Sequence, residues 1–203
     1  MNFYPPKIEE KIKCARNVEK TGDSNAVGTG ASFECGTFIK FFLQIEKETK
    51  IITEAKFKTS ACGFTIAAAA VLSERVKGRK LNELHGLDKN VLKNQIEREL
   101  GLFSQSRAHC LEICIDALRA AFKKFRAAQI EEFAGEQALI CTCFGVSEAT
   151  IEKLVEEKSL ASVEEVTGNC SAGGGCGACQ PLVQEILDSY ERARLRKQEF
   201  FRA

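Results

Sequence analysis

Two close pairs of cysteines, far apart in the sequence, constrain this chain more than any other feature. One pair has the spacing C-x-C and the other C-x-x-C, and the four residues are Cys141, Cys143, Cys176 and Cys179. Four thiolates brought together by folding suit a tetrahedral zinc ion or an iron–sulfur cluster, and a disulfide framework is less favoured. The glycines at 173–175 and 177 let the backbone approach a bulky cluster, which a structural zinc ion does not need. The pattern therefore favours a cluster over zinc.

Composition and charge limit the classes of protein that this sequence can encode. There are 10 cysteines, and the first ten residues do not have the pattern of an export signal. Both features predict a reducing compartment, the cytoplasm, and metal or redox chemistry rather than disulfides. No run of eighteen apolar residues predicts a membrane span, and the formal net charge of +1 gives no nucleic-acid signal. Residues 141–189 are acidic and the remainder is basic, which indicates two units with different partners or ordinary solvated surface.

Hydrophobic periodicity changes along the chain and predicts a mixed first part and a helical second part. The predicted elements up to residue 130 are a helix at 7–16, a loop at 23–30, strands within 32–46 and at 51–59, a turn at 48–50, and helices at 66–76, 81–84, 91–100 and 107–130. The predicted helices of the second part lie at 148–157, 162–167 and 181–196. No strand is predicted after Cys141.

This pattern predicts two domains of different fold class. Residues 1–130 are expected to form an α+β domain, a small antiparallel sheet with packed helices. Residues 131–138 are expected to be a linker. Residues 139–196 are expected to form a small all-α, cluster-binding domain that ends in a long helix, followed by a basic tail at 197–203.

Three cysteines of the first domain fall at junctions between predicted elements, where ligands can converge. They are Cys35, Cys62 and Cys110, and His109 precedes the last of them. At Cys62 the start of a helix favours the thiolate, because the helix dipole lowers the thiol pKa. Three thiols and one imidazole on separate loops suit zinc or a [2Fe–2S] cluster. Any one of these cysteines taken alone also fits a buried apolar thiol.

Several short segments of the first domain carry a family pattern. They are Val27-Gly28-Thr29-Gly30, Glu34-Cys35-Gly36, Ala55-Lys56-Phe57-Lys58-Thr59-Ser60-Ala61-Cys62-Gly63, Ile66-Ala67, Val76-Lys77-Gly78 and His109-Cys110. Together they resemble the IscU/NifU iron–sulfur scaffold. The two later cysteine pairs resemble the [2Fe–2S] domain of the bacterioferritin-associated-ferredoxin type. This order of modules is similar to the first two domains of NifU.

The resemblance implies a scaffold and carrier rather than a turnover enzyme. A cysteine desulfurase is expected to deliver sulfur, and iron joins it in a transient cluster on Cys35, Cys62 and Cys110, with His109 nearby; zinc is a possible occupant. Apo iron–sulfur proteins are the expected acceptors. The four later cysteines are expected to hold a permanent [2Fe–2S] cluster in a redox role, served by an electron donor. A homodimer is a further expectation.

The sequence departs from the family pattern at two places that bear on the first centre. Thr37 stands where the family usually has Asp, and a neutral hydroxyl is a poor substitute for an exchangeable carboxylate ligand. We therefore expect altered iron entry and slower cluster release. Cys114, one turn after Cys110, is a candidate replacement ligand or a core thiol. Arg107 keeps the positive charge of the chaperone-binding motif, whose prolines are absent.

Two other functions fit the same residues. One is a ferredoxin-like electron carrier whose first domain has lost its assembly role, in keeping with Thr37. The other is a zinc-binding partner of a desulfurase. Iron and sulfide counts on anaerobically purified protein distinguish these from a scaffold.

Overall fold

The computed structural model describes residues 3–15, 24–84, 88–132 and 139–200. The chain divides into two units. The first comprises Met1–Glu46, Ile51–Arg79 and Leu87–Phe125, and the second comprises Lys47–Lys50, Lys80–Gly86 and Arg126–Ala203. Within the described ranges, none of the helices has the length and apolar character needed to cross a membrane.

The first unit contains a three-stranded antiparallel sheet in the order β1-β2-β3. The strands are β1 (Ala26–Ser32), β2 (Thr37–Ile45) and β3 (Ile52–Thr59). Alternate residues of β2 are fully buried, as the period of a half-buried strand requires. Phe41 of β2 pairs in register with Phe57 of β3, and their ring centroids lie 6.0 Å apart. The predicted hairpin of two strands is therefore present, with a third strand beside it.

One helix precedes this sheet in the sequence and three follow it. They are α1 (Pro6–Cys14), α2 (Gly63–Val76), α3 (Lys89–Leu100) and α4 (Ala108–Glu132), with short 3-10 turns at Leu81–Leu84 and Gln105–Arg107. The alanine-rich stretch 67–73 of α2 is buried all round, so the absence of a polar face in its sequence reflects a core helix. Gly101 ends α3 with φ +90°, a conformation that favours glycine.

The loop expected at 23–30 is wrong over most of its length, because residues from Ala26 onward form β1. Gly28 and Gly30 weaken the strand signal in the sequence. In the structure, a Cβ at Gly28 would overlap the backbone carbonyl of Ala117, and one at Gly30 would overlap that of Ile113. The two glycines therefore let β1 lie directly against the backbone of α4, the helix that carries His109 and Cys110.

The second unit is helical apart from one short hairpin. Its helices are α5 (Glu148–Lys158), α6 (Val163–Cys170) and α7 (Gln180–Phe200), and β4 (Leu139–Cys141) pairs antiparallel with β5 (Val146–Ser147). The expectation of no strand after Cys141 is wrong, because a strand of two residues is too short to show a period. Ser147 and Ser162 cap α5 and α6 by accepting hydrogen bonds from backbone N–H groups.

Segments 47–50 and 80–86 belong to the second unit, although they are distant from it in sequence. The ammonium of Lys50 donates to Gln129 Oε1 at 2.8 Å, and Lys80 Nζ donates to the carbonyl of Gly168 at 2.5 Å. The domain limits stay a prediction, because residues 133–138 of the expected linker lie outside the described ranges, as do 201–203 of the expected tail.

Candidate metal centres

The first centre consists of Cys35, Cys62, His109 and Cys110. These residues lie at three junctions between secondary-structure elements of the first unit. Cys35 lies in the turn between β1 and β2, Cys62 is the N-cap of α2, and the other two lie in the first turn of α4. The sulfurs of Cys62 and Cys110 are 3.8 Å apart, and His109 Nε2 is 3.5 Å from Cys110 Sγ. The fold thus brings together the four residues predicted for a transient cluster.

Cys35 is the exposed thiol of the first centre, and Thr37 is one of its polar partners. The Thr37 hydroxyl lies 2.9 Å from Cys35 Sγ. Hydrogen bonds from Thr37, then Ser32, and more weakly His109 lower the pKa of Cys35 to about 7. A large fraction of Cys35 is therefore thiolate near neutral pH, the form that acts as nucleophile and metal ligand.

Cys62 and Cys110 differ in their electrostatic surroundings. Burial raises the pKa of Cys62, but the backbone N–H groups of Thr65 and Phe64 outweigh it, and the net shift is downward. Burial raises the pKa of Cys110 to about 11, although Thr65 and the charge of Arg107 act in the opposite direction. The pair therefore favours one thiolate beside one thiol, and a bound cation would favour the loss of the second proton.

Arg107 is held beside the centre by an aromatic cluster. Its guanidinium lies 5.4 Å from the ring centroid of Phe64, and that ring makes edge contacts with Tyr4 and Phe103. The Tyr4 hydroxyl accepts a hydrogen bond from the backbone N–H of Gly63 at the start of α2. Arg107 thus contributes positive charge near Cys110, and a role for it in modulating the first centre stays a prediction.

Cys114 is fully buried and its thiol is hydrogen-bonded to the protein backbone. Its S–H donates to the carbonyl oxygen of Thr65 at 3.6 Å, and burial raises its pKa well above the ordinary value. This arrangement is that of a core thiol. The alternative role as a replacement ligand stays a prediction.

Sequence reasoning missed two residues that face the first centre, Ser32 and Glu34. Ser32 hydrogen-bonds Cys35, and Glu34 Oε2 lies 3.0 Å from His109 Nδ1. Glu34 was visible only as part of the Glu-Cys-Gly motif. Its proximity to His109 depends on folding, because the two residues are distant in sequence.

The second centre consists of Cys141, Cys143, Cys176 and Cys179, which pair across the two motifs. Cys143 Sγ lies 3.5 Å from Cys176 Sγ, and Cys141 is hydrogen-bonded to Cys179. Cys141 and Cys179 are buried, whereas Cys176 is exposed. The four cysteines that the sequence singled out therefore come together as two pairs, one inner and one outer.

Backbone N–H groups and glycines surround the second centre. The N–H of Gly173 donates to Cys179 Sγ at 3.2 Å, and a Cβ at Gly175 would lie only 3.0 Å from Cys143 Sγ. Burial raises the pKa of Cys143, whereas the N–H of Ala178 and contact with Cys143 lower that of Cys176. The loop is thus shaped to bring backbone donors close to sulfur.

The donor set of the second centre fits a two-iron cluster better than a single zinc ion. Two thiolates on one tetrahedral ion with bonds of about 2.3 Å lie roughly 3.7 Å apart. The separation of 3.5 Å between Cys143 and Cys176 matches this value. Over residues 3–15, 24–84, 88–132 and 139–200, which include the first centre as well, no three His, Cys, Asp or Glu side chains converge on one ion position. Two pairs of thiols suit two irons, each held by two sulfurs.

Replacing Thr37 by valine is expected to raise the pH midpoint of Cys35 alkylation from about 7. The hydroxyl of Thr37 is the main cause of the lowered pKa, so its loss favours the neutral thiol. A rise on the order of one pH unit lowers the thiolate fraction at pH 7 roughly fivefold. Iodoacetamide rates on the metal-free chain, read peptide by peptide in a mass spectrometer, measure the midpoint. Thr29→Val, at an exposed position of β1, is the control, and an unchanged Cys35 midpoint in Thr37→Val contradicts the assignment.

Comparison with known proteins places this chain in a family. Residues 3–132 match the family described as NifU-like N terminal domain, and residues 139–189 match the BFD-like [2Fe-2S] binding domain. The first match covers more than half of the chain, and the chain belongs to the NifU-like N terminal domain family. The resemblance drawn from the sequence motifs is therefore confirmed.

Individual relatives agree with this assignment. The chain is 35% identical over 189 residues to the nitrogen fixation protein NifU of Nostoc sp., covering 91% of this chain and 60% of that protein. It is 30% identical over 135 residues to the iron-sulfur cluster assembly scaffold protein IscU of Aquifex aeolicus, covering 65% of this chain and 83% of that protein. The chain thus spans about 60% of the length of the NifU relative.

Proposed function

We propose that this chain is a scaffold and carrier for iron–sulfur clusters, without turnover chemistry of its own. It receives sulfur from a cysteine desulfurase together with iron, assembles a transient cluster on the first centre, and passes the cluster to apo-proteins. The observation that carries the proposal is the first centre itself, which combines an exposed thiol of low pKa with two further thiols and an imidazole. The proposed location is the cytoplasm, where thiols stay reduced.

Sulfur transfer to this centre is a thiol exchange. The thiolate of the scaffold attacks the outer sulfur of the desulfurase persulfide, the S–S bond breaks, and the desulfurase cysteine leaves as a thiolate. Cys35 is the best-suited attacking group, because it is exposed and its pKa is lowered to about 7. Cys62 and Cys110 are the further thiol ligands proposed for iron. The lowered pKa of Cys62 favours its thiolate.

Thr37 distinguishes this scaffold from relatives with an aspartate at that position. Its hydroxyl is engaged with Cys35 and offers no carboxylate to iron. Because this exchangeable ligand is missing, we expect slower release of the transient cluster from this chain.

The second centre is proposed to hold a permanent [2Fe–2S] cluster, with Cys141, Cys143, Cys176 and Cys179 as ligands. When bound, that cluster supplies one-electron redox chemistry. Gly173 donates its N–H to Cys179, and a hydrogen bond to a ligand sulfur is one of the factors that tune a cluster. Cys176 and Cys143 form the more exposed pair, which suits electron exchange with a donor protein.

Anaerobic purification followed by cluster loading tests this function. We expect about 2 iron per chain as purified, from the second centre, and a further chelator-sensitive pair after incubation with a desulfurase, cysteine and ferrous iron. The added iron and sulfide should move to an apo-ferredoxin. Cys35→Ala is expected to abolish the added, chelator-sensitive iron of the first centre and to leave the iron of the second centre intact.

Each contrary result has a defined meaning. Stable iron in the second centre with no further loading identifies a ferredoxin-like electron carrier. Zinc in place of iron identifies a zinc-binding partner of the desulfurase. Either outcome overturns the scaffold proposal.

A further inference from the structure

One ring nitrogen of His109 faces the thiols of the first centre. The other ring nitrogen faces a carboxylate. Nε2 lies 3.5 Å from Cys110 Sγ, and Nδ1 lies 3.0 Å from Glu34 Oε2. The imidazole is mostly buried, at 13% side-chain exposure, whereas Glu34 is 74% exposed. Although Glu34 is close, the buried Nδ1 has no hydrogen-bond partner among the described residues.

A buried ring nitrogen without a hydrogen bond is costly, so the adjacent acceptor is informative. A modest rotation of the exposed Glu34 side chain completes the bond from Nδ1, since the two atoms are already at hydrogen-bond distance. The Nδ1–H tautomer leaves the lone pair of His109 on Nε2, the nitrogen beside the thiols. A carboxylate that accepts from one nitrogen of a metal-binding histidine fixes its tautomer and orientation and raises its basicity.

Two polar residues flank Cys35 in the sequence, and only one of them can supply a carboxylate. On one side Thr37 is neutral and its hydroxyl is engaged with the Cys35 sulfur. On the other side Glu34 reaches across to His109. The start of β2 thus places a hydroxyl beside the thiol, and the β1–β2 turn places a carboxylate beside the imidazole.

We propose that Glu34 is a positioning residue of the first centre. It accepts the Nδ1 proton of His109 and holds Nε2 toward an incoming metal ion. The proposal rests on the proposed function only in taking a metal as cargo of this centre, and it requires neither cluster assembly nor transfer.

Zinc affinity tests the proposal on the full chain with its second centre loaded and the first emptied by a mild chelator. Glu34→Gln keeps the shape of the side chain and removes its charge. We expect it to weaken Zn²⁺ binding about tenfold, the lower end of the range for such partners. Zinc K-edge X-ray absorption should show loss of the imidazole contribution. Glu34→Asp is expected to restore part of both signals, and Glu112→Gln, on the exposed face of α4, is expected to change neither.

A double-variant cycle separates positioning from direct ligation or a remote charge. If Glu34 acts through His109, Glu34→Gln has no further effect on zinc affinity in a His109→Ala background. Full additivity of the two losses overturns the proposal, as does parental affinity with an intact imidazole signal in Glu34→Gln. A chain that binds zinc as expected but builds no cluster refutes the scaffold function and leaves the role of Glu34 standing.

Discussion

Replacing Cys143 by alanine is expected to lower the iron content of the second centre from about 2 per chain to near zero, while Cys170→Ala leaves it unchanged. Cys143 lies 3.5 Å from Cys176, at the separation of two thiolates on one ion. Cys170 lies just before the glycine loop in the sequence, but its S–H donates to the carbonyl of Val166 at 3.3 Å within α6. One cysteine is thus aimed at the centre and the other at its own helix.

Visible absorption, iron and sulfide counts and the electron paramagnetic resonance of the reduced protein measure this difference. The Cys170→Ala variant controls for the loss of a thiol from the same unit. A cluster that persists in Cys143→Ala, or disappears only in Cys170→Ala, shows that the ligand set includes a different cysteine.

Valine at position 28 is expected to destabilise the first unit by about 1–3 kcal/mol, whereas Gly168→Ala is expected to stabilise the second by roughly 0.5–1 kcal/mol. A side chain at Gly28 meets the backbone of α4 at Ala117 and Ala121, which cannot move aside as a flexible side chain can. Gly168 lies within α6, and a Cβ there has nothing within 4 Å. The two substitutions both add a side chain to a glycine and should have opposite signs.

Denaturant unfolding of each variant measures these changes in the free energy of unfolding. A displaced α4 also carries His109 and Cys110 with it, so Gly28→Val should weaken zinc binding at the first centre. Parental stability in Gly28→Val contradicts the close packing of β1 on α4.

The sequence was sufficient for the family and for most helices, because both have local signals. The spacing of the cysteine pairs and the apolar periodicity of α2 and α4 are visible without a structure. The strand β1 was missed because Gly28 and Gly30 lower strand propensity, while their reason for being there is a helix far along the chain. Glu34 was missed for the same physical reason, since its partner His109 is supplied by folding.

The hairpin β4–β5 was missed for a different reason, the shortness of its strands. Its strands have three and two residues, so no alternation develops that a sequence pattern can reveal. Its turn does carry a signal in hindsight, because Gly145 has φ +64° and a Cβ there would overlap the Gln129 side chain.

Homology and packing draw the border of the second domain at different residues. The matched family begins at residue 139, but the packed unit also includes Lys50, Lys80 and the end of α4, where Arg126 Nε donates to the carbonyl of Thr142 at 2.9 Å. That carbonyl lies between the two cysteines of the C-x-C motif. The segment that matches the family is therefore shorter than the compact unit, and part of the frame of the second centre is encoded before residue 139.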